Sequence, residues 1–258
     1  MLNAQQIKQI GELIVSAHKQ QCQLEQPIAD LSPADFTDSY AIQDAVMQGL
    51  GWSGENRVTC WKTGAQSPES TTFIAPVPPT GVYANDAQID AGQFHSIGAE
   101  AELAYRLGRD LPARDSAYTE DEVRQAIDAL VVTIEICDSR LGDWRNSSFY
   151  WQSADNQNSA ALIIGDLLID WQSVDMSVQP AELLVNGEVV VSTVAGNTFT
   201  DPSVLMVDAV NQSIARVGGL KAGDLFTAGS WTGTTAVQMG SEVIARFPGI
   251  GQARAWFK

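Results

Sequence analysis

The chain has 258 residues, long enough to bury a large core, and its 31 acidic against 15 basic side chains leave a formal net charge of −16 at pH 7. That field repels nucleic-acid phosphates and anionic membrane surfaces, so neither is an expected partner, and a small anionic substrate needs a local cation to hold it. No apolar run approaches a membrane span, and Cys22, Cys60 and Cys137 are odd in number with no Cys-x-x-Cys pair, a pattern that gives no support for a disulfide framework or a zinc site and fits a reducing, cytoplasmic setting.

In chain order, Ile7, Ile10, Leu13 and Ile14 alternate with Lys8, Glu12 and Lys19, which predicts an amphipathic helix over about residues 3 to 21 rather than a signal peptide. A second helix is expected from near Asp38, burying Tyr40, Val46, Met47 and Leu50 and stopped by Gly51, Gly54 and Asn56. Val58 to Lys62 reads as a strand, and Ser67 to Gly81, with its four prolines, as an irregular loop. Glu100 to Leu107 reads as a strand. Thr119-Glu120-Asp121-Glu122 has the capping-box pattern at the head of a helix carrying Val123, Ile127 and Leu130. The β-branched run Val131 to Ile136 follows, and Asn186-Gly187 between the apolar segments Leu183 to Val185 and Val189 to Val191 predicts a hairpin with a type I′ turn. Asp201-Pro202 opens a helix with Val207, Val210, Ile214 and Val217 on one stripe, stopped by Gly218-Gly219, and glycine-punctuated strands complete the chain. His18 and His95 are expected as surface or capping residues rather than ligands.

Three glutamates carry the chemistry. Glu100 and Glu102 alternate with Ala101, Leu103 and Tyr105, so a strand places both carboxylates on one face, roughly 7 Å apart at the backbone. Glu135 lies inside an apolar run and needs a counter-charge: a divalent cation, or Arg106 or Arg140. Oxygen donors without histidine or cysteine select Mg²⁺, Mn²⁺ or Ca²⁺, and an incomplete shell of carboxylates leaves room for water and substrate.

Ser39-Tyr40-Ala41-Ile42-Gln43, Trp61-Lys62-Thr63-Gly64, Glu100-Ala101-Glu102, Leu107-Gly108-Arg109-Asp110-Leu111, Glu135-Ile136-Cys137-Asp138-Ser139-Arg140, Asp155-Asn156 with Ser159, and Ala228-Gly229-Ser230-Trp231 occur in that order. In these motifs the chain resembles the hydratase and decarboxylase branch of the fumarylacetoacetate hydrolase superfamily, over nearly its whole length. The resemblance implies an α+β fold, with a mixed β-roll catalytic core over residues 57–258 and an N-terminal helical cap over residues 1–56. It implies Mg²⁺ or Mn²⁺ held by Glu100, Glu102 and Glu135, gripping the carboxylate and 2-oxo oxygen of a small 2-oxo acid, in a homo-oligomer. Lys62 matches the family's active-site lysine, with a pKa lowered for proton transfer or a charge kept to stabilise a dienolate. Ser159 is the candidate hydroxyl for substrate or a metal-bound water, Gln43 and Thr232 are candidates on the substrate side, and Asp138 and Arg140 are expected to support the site.

The expected reaction is addition of water to a 2-hydroxy-2,4-dienoate in aromatic-compound catabolism. One departure weighs against it: hydratases of this type carry an acid after the lysine motif, where this chain reads Thr72-Phe73-Ile74-Ala75-Pro76-Val77, with Glu69 the nearest carboxylate in sequence. The alternatives are decarboxylation of a 4-oxalocrotonate-type acid, hydrolysis of a C–C bond, and a non-catalytic partner subunit.

Overall fold

Two capped helices open the chain in the computed structural model, which describes residues 1–25 and 31–258. In α1 (Ala4–Gln20) Asn3 and Gln6 form a reciprocal capping box, and α2 (Phe36–Leu50) starts on Asp35 and ends on Gly51. Ile10 and Ile14 of α1 pack with Ile42 and Val46 of α2 and with Leu141, Trp151 and Ala154 from the rest of the chain. Tyr40 and Leu50, expected as core, are only half-buried.

The remaining elements are β1 (Cys60–Gly64), β2 (Phe73–Pro76), β3 (Val82–Ala84), β4 (Ala87–Ile89), β5 (Ile97–Leu107), β6 (Leu111–Pro112), α3 (Glu120–Arg124) and β7 (Ile127–Cys137). There follow α4 (Phe149–Ala154), β8 (Ser159–Leu168), β9 (Pro180–Val185), β10 (Glu188–Val194), α5 (Met206–Val217), β11 (Gly219–Leu220), β12 (Leu225–Ser230), β13 (Thr235–Val237), β14 (Glu242–Phe247) and β15 (Gly251–Phe257). The main sheet runs β2-β1-β12-β5-β7-β8-β3, with β13 pairing beside β12 on β5; a second runs β10-β9-β14-β15-β4; β6 and β11 form a short ribbon. The β1/β12, β3/β8 and β4/β15 pairs are parallel and the rest antiparallel, so the core is mixed.

Strand β15 packs across β7 and β8. The close approach depends on Gly165, where a Cβ would lie 2.4 Å from the Gln252 carbonyl oxygen. One face of β5 and β7, carrying Ala99, Ala101, Leu103, Val132, Ile134 and Ile136, joins Val243, Ala245, Ala253 and Ala255 in the main core. Alternation sends Glu100, Glu102, Glu135 and Cys137 to the other face. There Cys60, Ala104, Val131, Leu162 and Leu225 form a separate apolar cluster beside them.

Four sequence expectations change. The first strand begins at Cys60, not Val58. The proline-rich stretch is not all loop, because Phe73–Pro76 pairs antiparallel with β1, and its prolines Pro76, Pro78 and Pro79 fall at the strand's end and beyond it. The capping box at Thr119 does start a helix, but one ending at Arg124; Ile127 and Leu130 lie in β7, whose sheet pairing prevails over their helical spacing. Val217 is 41% exposed rather than part of the α5 stripe. The hairpin is as expected, with Asn186 and Gly187 at φ 53° and 83°.

Candidate metal centre

Glu100 and Glu135 sit directly opposite each other in the β5/β7 ladder, and Glu102 follows on the same face opposite Thr133. Like charges directly across a ladder destabilise a sheet, and burial removes the water that would screen them. Glu102 and Glu135 are fully buried and Glu100 is 8% exposed. Both carboxylate oxygens of Glu102 and Oε1 of Glu135 lack a hydrogen-bond partner among the described residues, and Glu135 Oε2 has only an ammonium beside it. Unpaired buried carboxylates facing one another fit a site that receives a cation.

Lys62 answers part of this charge. Its Nζ lies 3.0 Å from Glu135 Oε2, 3.3 Å from the Gln157 carbonyl oxygen and 3.8 Å from Cys137 Sγ. Three strand steps separate β1 from β7 in the sheet order, ~14 Å if the sheet were flat, so side chains standing perpendicular to it meet only because it curls. The counter-charge on Glu135 is therefore Lys62, not Arg106 or Arg140: Arg106 holds Asp128 and Arg140 holds Asp155.

Burial pushes the Glu102 carboxyl well above the usual carboxylate range, and the charges of Glu135 and Glu100 push it the same way. Burial also raises Glu135, with Lys62 opposing. For Lys62 itself, burial favours the neutral amine, but Cys137 and the three glutamates outweigh it and hold the ammonium above its ordinary range. Of the two expectations for Lys62, a lowered pKa and a retained charge, this agrees with the second, because the carboxylates face Lys62 directly.

Ser159 is fully buried at the start of β8, opposite Cys137, and its hydroxyl is unpaired. It follows Asn156, Gln157 and Asn158, consecutive non-glycine residues in the left-handed region at φ 54°, 51° and 58°. Such backbone is costly and is kept where surrounding contacts over-determine it. Here those contacts include the Lys62 bond to the Gln157 carbonyl, and both ends of the buried Asn156 amide are unpaired.

Gln43 lies outside this cluster's contacts. Its Nε2 donates to the Ser153 carbonyl and its Oε1 accepts from Arg216, so the amide ties α2 to α4 and α5 and has its polar ends taken. Thr232 accepts from the Ala101 N–H at 3.0 Å and donates to the Gly233 carbonyl, pinning the loop after β12 onto β5. Asp138 accepts from Ser96 and from the backbone N–H of His95. His18 packs edge-on against Trp52, and burial lowers its pKa to about 3, so it is neither a surface nor a capping residue.

Two participants were missed from sequence. Thr234 donates to Glu100 Oε1, with only a Gly-Ser-Trp-Thr-Gly-Thr loop to hint at it. Cys137 belongs to the tightest cluster: among the described residues, Glu100, Glu135 and Cys137 offer ligand atoms all within 4.8 Å of one another. Glu102 stands outside that group, close enough for its neighbours' charges to act on it. The alternation used for Glu100 and Glu102 applies equally to Glu135 and Cys137 and would have found the thiol.

A family model described as the fumarylacetoacetate (FAA) hydrolase C-terminal domain matches residues 55–258. A 2-keto-4-pentenoate hydratase of Paraburkholderia xenovorans (strain LB400) is 33% identical over 166 residues, 64% of this chain and 60% of the relative, so the match spans under two thirds of that protein. A 4-oxalocrotonate decarboxylase of Pseudomonas putida is 26% identical over 99% of this chain and 98% of its own. The structure of 4-oxalocrotonate decarboxylase from Pseudomonas putida G7, complexed with magnesium and adipate, superposes with a TM-score of 0.85 at 21% identity, covering 100% of this chain and 99% of that one.

Proposed function

The chain belongs to the fumarylacetoacetate hydrolase family, and from that premise we propose that it is a divalent-metal-dependent lyase. The reaction is addition of water to a 2-hydroxy-2,4-dienoate of the 2-keto-4-pentenoate type, giving a 4-hydroxy-2-oxo acid in aromatic-compound catabolism. The observation that carries this reading is the buried, unpaired carboxylate cluster of Glu102 and Glu135 opposite Glu100. These three glutamates would hold Mg²⁺ or Mn²⁺. When bound, the cation supplies a Lewis acid for the carboxylate and 2-oxo oxygen of the substrate.

Lys62, held charged by its anionic neighbours, directs its ammonium at negative charge building on the 2-oxo oxygen and keeps a proton at Nζ for the substrate. Ser159 Oγ and the Asn156 amide, buried and unpaired, orient a water or the substrate's polar groups. Gln43 and Thr232 hold the walls: Gln43 through the Ser153 carbonyl, Thr232 through the Ala101 N–H. The apolar cluster of Cys60, Ala104, Val131, Leu162 and Leu225 keeps bulk water from that side. Assembly is homo-oligomeric and the compartment cytoplasmic in this reading; light scattering at micromolar concentrations tests the first.

A second reading, decarboxylation of a 4-oxalocrotonate-type acid, is favoured by one observation. The segment where hydratases carry an acid is strand β2, Phe73–Pro76, and has none. Asp208 reaches only the Thr72 hydroxyl at its edge, and Glu69 is exposed. Both reactions share the chelated 2-oxo acid and Lys62. Incubating the metal-loaded enzyme with 2-hydroxypenta-2,4-dienoate and with 4-oxalocrotonate, following ultraviolet absorbance and CO₂, separates them. Formation of the hydroxy acid supports the hydratase; CO₂ release without it moves the assignment to the decarboxylase; inertness toward both despite bound metal sinks the two together.

A further inference from the structure

Cys137 has no part in the reaction proposed above, yet its thiol lies in the most closely converging set of ligand atoms. Its Sγ shares the 4.8 Å cluster with oxygens of Glu100 and Glu135, two residues along β7 from Glu135 and on the same face. The position already attracts positive charge, since the Lys62 ammonium rests 3.0 Å from Glu135 and 3.8 Å from the thiol. Glu135 is fully buried, and its Oε1, unlike the Oε2 that faces Lys62, has no hydrogen-bond partner among the described residues. A set of two carboxylates and one thiol differs in kind from three carboxylates. Hard oxygen donors suit Mg²⁺ and Mn²⁺, whereas a thiolate in the set prefers thiophilic ions such as Zn²⁺ and Cd²⁺.

We propose that Glu100, Glu135 and Cys137 form a second, thiophilic cation site, overlapping the three-glutamate site and taking Zn²⁺ or Cd²⁺ in competition with Mg²⁺ or Mn²⁺. The inference rests on reading Glu100 and Glu135 as cation ligands and adds Cys137 to them. As the S–metal bond forms, the S–H bond breaks and its proton passes to solvent, with no change of oxidation state. The Lys62 ammonium must withdraw, because an ion bound to the thiol as well as to Glu135 takes the place between those two groups where Nζ now rests, 3.8 Å from the thiol, which an ion held through Glu102 does not require. Occupancy by a thiophilic ion therefore removes Lys62 from its place beside the substrate and inhibits turnover. Glu102, outside the cluster, contributes to the hard-cation arrangement alone.

The test uses the full-length protein freed of metal by chelation and titrated with Cd²⁺, following the ultraviolet charge-transfer band of a cadmium–thiolate bond, with Mg²⁺ titrated separately by calorimetry. The expected result is a band saturating at one ion per chain. Cys137→Ser should abolish it and weaken Zn²⁺ binding roughly tenfold or more while leaving Mg²⁺ affinity nearly unchanged. A band that survives Cys137→Ser overturns the proposal. If that variant does not fold, the Cys22→Ser/Cys60→Ser double variant decides, since the chain has three cysteines: a retained band assigns it to Cys137 and a lost band refutes that. Mg²⁺ binding without a cadmium band in the unmodified protein sinks this inference alone. Absence of both sinks the three-glutamate reading with it.

Discussion

Two buried clusters of charge lie five residues apart along the chain, one around Glu135 and one around Arg140, and they are built in opposite ways. Around Arg140 both carboxylate oxygens of Asp155 and the guanidinium Nε and Nη2 are hydrogen-bonded. Asp155 accepts from Ser139 Oγ at 2.7 Å, from the Arg140 N–H at 2.9 Å and from Arg140 Nε at 2.7 Å, while Nη2 donates to the Asp155 and Ser159 carbonyls. Around Glu135 three carboxylates crowd one ammonium and most of their oxygens are unpaired. A saturated pair holds the segment after β7 to the turn before β8 and offers nothing to a ligand. An unsaturated cluster costs stability and keeps its valences for one.

The largest expected effect tests the saturated side. Arg140→Leu leaves Asp155 buried without its cation and should destabilise the protein by about 3–5 kcal/mol in chemical denaturation. A loss below about 1 kcal/mol would show that the pair is not the anchor described. On the unsaturated side, Lys62→Ala should lower turnover by roughly 10² or more while the fold and Mg²⁺ affinity are retained. Unchanged activity in the folded fraction would reassign Lys62 to structure.

Glu102→Gln sharpens the contrast, because function and stability should move in opposite directions. Calorimetric titration should show Mg²⁺ and Mn²⁺ binding sharply weakened, whereas the metal-free variant should be more stable than the parent by about 1 kcal/mol near neutral pH. Its pH profile should change too. A folded-state pKa raised above the unfolded 4.5 means that the folded protein binds the extra proton, so this contribution is present at low pH and is lost as pH rises beyond about 4.5. The substitution should flatten that slope, and a parallel profile would remove Glu102 as its source.

The smallest effect runs the other way and lies beside the saturated cluster. His18, with a folded pKa near 3 set by burial and then by the Arg140 charge, contributes stability fully above about 6.5 and loses it as pH falls toward 3. His18→Phe, keeping an aromatic ring against Trp52, should remove about 1 kcal/mol of the decline between pH 6.5 and 5.5. An unaltered acid limb would place that decline elsewhere.

Both clusters are written in one stretch, Glu135-Ile136-Cys137-Asp138-Ser139-Arg140, and read from residues alone the two charges look like partners for each other. Period two in Glu100-Ala101-Glu102 was enough to put two carboxylates on one face, and the capping box at Thr119 marks a helix start in the structure. The hairpin at Asn186-Gly187 was equally legible, since its turn geometry is a local property. Helix α3 was misjudged in length because Ile127 and Leu130 fit a helical spacing, and only the partners β5 and β8 turn them into strand. The same holds for β2, whose existence depends on β1.

Local chemistry thus dictated which residue types share a face, where helices begin and which turn closes the hairpin, since each depends on side chains within a few positions. The curl of the main sheet, the pairing of Lys62 with Glu135 across it, the assignment of Arg140 to Asp155, and the entry of Cys137 and Thr234 into the site belong to the tertiary structure. These contacts join residues from about 15 to about 134 positions apart, and which acid meets which base depends on how strands from distant parts of the chain are ordered and bent.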